Sequence, residues 1–356
     1  MLNPVDFAFQ KLKIFPSLFS IFTGAKSFEN NPCIGDEFLN KKGLHLFRLQ
    51  LASRLADRYR RSIHRRLSSD LIDQYQKNGY ILIENFLKED DFYSLQKEIL
   101  DNKWIRQDMN QGGAVTRRVW LNASSLQTSE KNLKAIIQSS KVKDMIRYVA
   151  GTGGEPIFSL QAIFSGHSPR GNDPQSDFHT DTFHSTAKAW LFLENVAKDK
   201  GPFSYIPGSH KLTKNRLNWE YRMSCSASKN SNKYHARGSF RPAPDDLKDM
   251  AYEQPKVFSV PANTLVIANT MGFHRRTPSQ QASVRVELYA SLRRNPFNIF
   301  PQLDILNVRF LQNRIGMIYC MAMTFGNRFL GTKLPWKNAG YGFLKNPPKR
   351  RSKRRP

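Results

Sequence analysis

His179 and Asp181 stand two residues apart in the run Asp177-Phe178-His179-Thr180-Asp181. On an extended strand such a pair projects from one face and can grip one metal ion from one side. His274, in Gly272-Phe273-His274, follows 95 residues later (274 − 179) and would complete two imidazoles and one carboxylate. That set covers one face of an octahedral iron(II) and leaves three positions open for a co-substrate and O2. A structural zinc site would instead close its shell with four protein ligands. A His-x-Asp step alone arises on many ordinary surface strands, so the elements around it must decide.

Those elements form a consistent series. Ala187 to Val196, AKAWLFLENV, is a mostly apolar run that reads as a core strand. Gly201 to His210, GPFSYIPGSH, closes on a Pro-Gly turn, and Val257 to Ala268 reads as two short strands around Pro261. Ser283 to Leu292 alternates, with Val284, Val286 and Leu288 on one side and Arg285, Glu287 and Tyr289 on the other, polar one. Upstream, Ser68-Ser69-Asp70 offers caps for a helix ending near Gly79. A strand over Tyr80 to Glu84 and an amphipathic helix over Glu89 to Asn102 follow. Two helices near 129–139 and 141–149 buttress a sheet, and Ile157 to Ser165 is a strand. Residues 212–254 form a polar, serine- and lysine-rich insertion, the length of a lid or binding loop. The span 305–332 has Ile305, Phe310, Ile315 and Ile318 at helical spacing. Three segments result: a basic helical extension over 1–68, a catalytic β domain over 69–300, and a C-terminal helical region with a basic tail over 301–356.

In this order and spacing the chain resembles the phytanoyl-CoA dioxygenase family of iron(II)/2-oxoglutarate oxygenases. The resemblance covers roughly Leu71 to Pro296. It rests on GYILIENFLKEDDFYSLQKEIL, on His179-Thr180-Asp181, on Ala189-Trp190, on PGSH, and on the distal His274 with Arg285 eleven residues beyond (285 − 274). It implies a mainly β protein with flanking helices around a double-stranded β-helix, the cupin-like jelly roll, with iron at one mouth. It implies iron(II) on His179, Asp181 and His274, with 2-oxoglutarate and O2 as co-substrates and succinate and CO2 released. In the family the arginine after the distal histidine binds the far carboxylate of 2-oxoglutarate, here Arg285. A planar guanidinium suits that task through two parallel hydrogen bonds; the plainer reading of Arg285 is a cross-strand ion pair. Trp190 matches a family tryptophan near the co-substrate, and Gln161 could hydrogen-bond it. Related halogenases carry a small residue in place of the aspartate, so Asp181 implies hydroxylation. The chain departs from the family at Arg275-Arg276-Thr277, where small residues are usual, and at Asn263, where an acidic turn residue is common. His184 and His167 lie near the motif in sequence, and His210 reads as a structural cap.

Composition bounds the remainder. The chain has 356 residues, 40% of them hydrophobic, enough for a large β domain with additions. Cys33, Cys225 and Cys320 are odd in number and far apart, which suits free thiols in a reducing compartment. No apolar run approaches the roughly 18 residues of a membrane span, and the opening MLNPVDFAFQKLKIF lacks the pattern of a secretory signal. A cytoplasmic protein is expected.

Charge is the second strong feature. Lysine and arginine number 55 against 29 acidic residues, a net +26 that attracts polyanions. Lys349 to Arg355 is a basic tail. Arg54 to Arg66 is a second cluster, and Leu44, Phe47, Leu51 and Leu55 would make it a basic amphipathic helix. Phe7, Phe9, Leu12, Phe15, Leu18, Phe19 and Phe22 add an aromatic N-terminus. These flanks suit peripheral contact with anionic membrane, or plain packing on the barrel. No zinc finger, helix-turn-helix or aromatic RNA-binding signature points to nucleic acid. Arg216, Arg222, Lys229, Lys233, Arg237 and Arg241 in the insertion suggest an anionic substrate, acyl-CoA or glycolipid in type. A hydroxylase of a free small metabolite and a non-catalytic jelly-roll module binding anionic ligands or membrane are the alternatives.

Overall fold

The computed structural model describes residues 17–123, 126–166, 173–300 and 335–348, with Arg314, Ile318, Met321 and Phe325. Its frame is two facing antiparallel sheets. The strands are β1 (Tyr80–Ile83), β2 (Lys103–Gln111), β3 (Ala114–Trp120), β4 (Ile157–Ser165), β5 (Ala187–Phe192), β6 (Phe203–Tyr205), β7 (Lys256–Val257), β8 (Thr264–Asn269), β9 (His274–Arg276), β10 (Ser283–Leu292) and β11 (Lys337–Phe343). Eight form the large sheet in the order β1-β8-β5-β10-β4-β3-β2-β11, and β7-β6-β9 form the small one. This is the jelly roll with flanking helices.

The central strands of the large sheet are buried on both faces, which is why β5 reads as a mostly apolar run. Alternate residues of a strand point to opposite faces. Ala189 and Leu191 meet the helices Glu89–Leu100, Lys131–Gln138 and Ser140–Ala150, through Leu95, Ile136 and Ile146. Trp190 and Phe192 face the small sheet and pack with Phe203, Tyr205 and Phe258. Each such buried side chain stabilises the fold by roughly 1.5–3 kcal/mol. The polar side of β10 therefore faces the barrel interior, with Arg285, Glu287 and Tyr289 all buried.

Gly79 ends the helix Ser69–Asn78 in the left-handed region, at φ 86°. A Cβ there would lie 2.5 Å from His210 Nδ1 and 2.6 Å from Tyr205 Oη, so only glycine lets the chain turn into β1. Asn263 occupies the same region at φ 61°, which asparagine tolerates better than most residues. Its side chain accepts from Leu87 N–H and donates to Leu87 C=O, pinning the turn before β8 to the segment after β1.

The helix Leu44–Ile63 buries His45, Leu49, Ala52, Ala56, Tyr59 and Ile63, whereas Phe47 is exposed and Leu44, Leu51 and Leu55 are only half-buried. Its buried stripe is thus rotated from the leucine-phenylalanine one, because Arg48 and Arg60 find carbonyl and hydroxyl acceptors inside. The insertion, read as the length of a lid or binding loop, carries packed helical structure that includes Lys214–Cys225. The hairpin β2-β3 and the strand β11 were not expected from the sequence. β11 lies within the span read as a helical C-terminus, and it is held by Arg106, which donates to the carbonyls of Ala339 and Phe343. Phe7 to Phe15, His167, Ile305, Phe310, Ile315, Cys320 and the tail from Lys349 lie outside the described residues. No helix among the described residues is long and apolar enough to cross a membrane.

Candidate metal centre

His179 and His274 are brought together by a single antiparallel bridge, in which each N–H donates to the other's C=O at 3.0 and 3.1 Å. His274 is the first residue of β9, and Asp181 N–H donates to Thr270 C=O at 2.9 Å. Backbone pairing, not side-chain contact, therefore fixes all three positions. Gly272 belongs to the same device: a Cβ there would fall 1.9 Å from Tyr205 Oη. Any side chain would have to push the distal histidine segment away.

The ligand atoms of His179, Asp181 and His274 all lie within 4.8 Å of one another. Asp181 Oδ1 is 3.9 Å from His179 Nε2 and 3.6 Å from His274 Nε2. His179 Nδ1 is 2.8 Å from Asp177 C=O, and His274 Nδ1 is 2.9 Å from Gly272 C=O. Donation to those carbonyls puts the proton on Nδ1 and turns the Nε2 lone pair of both rings inward. Both Nε2 atoms are buried and have no hydrogen-bond partner. Two buried, unpaired imidazole nitrogens around one carboxylate oxygen fit a divalent metal, since an unmet polar atom in the interior is costly.

The electrostatics favour the forms a metal needs. Burial, reinforced by the neighbouring His274, holds the His179 imidazole well below its ordinary pKa, hence neutral. Burial alone would raise the Asp181 carboxyl. The Lys188 ammonium outweighs it and holds the group well below the usual carboxylate range. Lys188 Nζ lies 2.6 Å from Asp181 Oδ2, and Lys26 Nζ donates to Asp181 C=O at 2.6 Å. Burial brings the Lys26 ammonium down to about 8, against the attraction of Asp181.

Beside the triad, a cavity of about 170 Å³ holds the other expected residues: Gln161, Trp190 and Arg285 line it together with Asp181 and His274. Arg285 Nε donates to Glu287 Oε2 at 2.8 Å and NH1 to Gly201 C=O at 2.6 Å. Its ion pair is therefore within its own strand, not across strands. Gln161 is clamped by Arg118, which donates to its Oε1 at 3.0 Å, and by Glu287, which accepts from its Nε2 at 2.5 Å. Trp190 stacks near Phe203 at 4.6 Å between ring centres.

Other histidines stand apart. His184 Nδ1 donates to Ser185 C=O at 3.0 Å, and the ring is pushed down to about 3 by burial. His210 rests on Tyr75 and is likewise pushed to about 3 by burial, so it is a packed ring rather than a cap. The insertion's cations are largely engaged. Arg216 is fully buried against Glu220, and Arg222, Lys229 and Arg237 pair with Asp246, Glu37 and Glu29. Lys188 and Arg118 were missed from sequence. Lys188 carried a signal: a lone lysine on the Trp190-Phe192 face of a central strand needs a buried partner.

The phytanoyl-CoA dioxygenase family profile matches residues 75–247. Among solved structures, the epimerase SnoN, in complex with Fe3+, alpha-ketoglutarate and nogalamycin RO, is 15% identical over 62% of this chain and 81% of its own, with a TM-score of 0.41. HygX from Streptomyces hygroscopicus, with nickel and 2-oxoglutarate bound, is 13% identical over 63% of this chain and 86% of its own, TM-score 0.40. The carbocyclase SnoK from nogalamycin biosynthesis is 18% identical over 63% and 83%, TM-score 0.37. No curated protein sequence matches the chain.

Proposed function

Over residues 75–247 the chain belongs to the phytanoyl-CoA dioxygenase family of iron(II)/2-oxoglutarate-dependent oxygenases, and from that premise we propose that it hydroxylates an anionic or lipid-linked substrate of acyl-CoA or glycolipid type. The observation that carries the reading is the pair of buried Nε2 atoms unpaired around Asp181. His179, Asp181 and His274 would hold iron(II). Bound there, iron with 2-oxoglutarate and O2 supplies the oxidative power, releasing succinate and CO2.

The chain's own residues supply the rest. Arg285, which lines the cavity, would bind the distal carboxylate of 2-oxoglutarate, while Glu287 and Gly201 hold its guanidinium in place. Trp190, Phe203 and Tyr289 give the cavity apolar walls that limit water. Support for an anionic substrate comes from the cavity lining rather than the insertion. Arg118 and Arg275 line it with no carboxylate in ion-pair contact among the described residues, while Lys188, Arg276 and Arg285 line it paired with Asp181, Asp173 and Glu287. The exposed Phe19 and Phe22 and the net +26 support a lipid-linked source.

Two measurements test the reading. Purified protein with iron(II), 2-oxoglutarate and O2 should release succinate, and His179→Ala should not. Untargeted metabolite and lipid profiling of cells carrying wild-type protein or His179→Ala should show one anionic or lipid-linked species rising and its hydroxylated form disappearing in the variant. A change confined to small neutral metabolites would overturn the substrate class.

A further inference from the structure

Asp181 offers two oxygens, and they are treated differently. Oδ1 faces the two imidazoles at 3.9 and 3.6 Å, while Oδ2 is 2.6 Å from Lys188 Nζ. Among the described residues, Lys188 is the only lysine or arginine in ion-pair contact with that carboxylate. Its backbone cannot drift, because Lys188 sits in β5 opposite Ala268 of β8 on one side and Ser291 of β10 on the other. The Asp181 backbone is equally fixed, by Thr270 C=O and by the Lys26 ammonium. Two rigid anchors thus impose one carboxylate orientation.

We propose that Lys188 is a positioning residue that restricts Asp181 to one-oxygen metal coordination. The inference rests on the family reading above. Its physical content is a count of positions. Two imidazoles and one carboxylate oxygen leave three places on a six-coordinate metal, enough for a two-toothed 2-oxo acid and O2. A carboxylate that swings to give both oxygens takes one of those places. The ammonium prevents this by occupying Oδ2 with a charge-assisted hydrogen bond. A partner that orients a ligand in this way has effects on the bound metal out of proportion to its distance from it. Lys188 also lines the cavity beside Trp190 and Arg118, so its ammonium adds to the positive wall there.

The test uses the full chain with cobalt(II) as an anaerobic spectroscopic probe, comparing wild type with Lys188→Met, Lys188→Gln and Lys188→Arg. Lys188→Met should bind cobalt(II) close to the wild-type affinity but with a shifted absorption spectrum, and its affinity for 2-oxoglutarate should fall by about tenfold or more. Lys188→Arg should restore the wild-type spectrum and 2-oxoglutarate affinity. Lys188→Gln, which keeps a donor without the charge, should fall between them, and it carries the test if Lys188→Met fails to fold by circular dichroism. Unchanged spectra and 2-oxoglutarate affinity in the folded variants would overturn the proposal. So would a metal-loaded wild-type structure with both Asp181 oxygens on the ion. If wild type binds neither cobalt(II) nor 2-oxoglutarate, the family reading itself fails, which is a separate result.

Discussion

Arg285 couples stability to the proposed binding of 2-oxoglutarate. Its Nε and NH1 are held by Glu287 and Gly201, and Glu287 is itself fully buried. A buried carboxylate stripped of its partner costs about 3–5 kcal/mol, so Arg285→Ala should lower thermal stability as well as co-substrate binding. The lost charge-assisted contact is worth on the order of 2–4 kcal/mol, which should appear as a raised apparent KM for 2-oxoglutarate. Metal binding should stay nearly intact, because no triad atom depends on Arg285. Steady-state kinetics over a range of 2-oxoglutarate, read beside a melting curve, check both parts. An unchanged KM would move the co-substrate role to Arg275 or Arg276, which line the same cavity.

Elements bring these residues together, and their legibility in the sequence varied for physical reasons. The strands β4, β5 and β10 and the helix before Gly79 could be read because apolar periodicity and a left-handed glycine mark them directly. The His179–His274 pairing is a backbone bridge across 95 residues (274 − 179) that no local periodicity marks; residue types suggested the metal set, and the resemblance supported His274 as its distal member. The hairpin β2-β3 was missed because KWIRQDMNQ and AVTRRVW are rich in charge, and that charge is satisfied inside: Arg117 pairs with Asp108 and donates to Leu344 C=O. Arg48 misleads in the same way. It counts as surface charge in a sequence, yet it is fully buried, donates to the carbonyls of Ile21, Thr23 and Ala25, and lies over Phe183. It ties the segment carrying Lys26 to the helix Leu44–Ile63. Arg48→Ala should therefore destabilise the protein by about 3 kcal/mol or more, since three carbonyls lose their donor. It should also open residues 17–30 to limited proteolysis. A melting curve and cleavage pattern identical to wild type would show that this tie is dispensable.

At the scale of the whole molecule, charge and exposed aromatics set the surroundings of the catalytic frame. Phe19, Phe22, Phe47 and Phe300 are exposed, and the chain carries +26. Each Lys or Arg near an anionic bilayer contributes about 1 kcal/mol, screened within about 10 Å at 0.1 M salt. The protein should accordingly bind anionic vesicles at low ionic strength and leave them at high salt, as sedimentation can show. Deleting residues 1–22 and 347–356 should release it while sparing 2-oxoglutarate turnover; equal binding by the truncated protein would exclude these segments as anchors. Anaerobic titration of the full chain with iron(II) should give one ion per chain, and His179→Ala, Asp181→Ala and His274→Ala should each abolish it in folded protein. One-to-one iron binding that persists in all three variants would contradict the account.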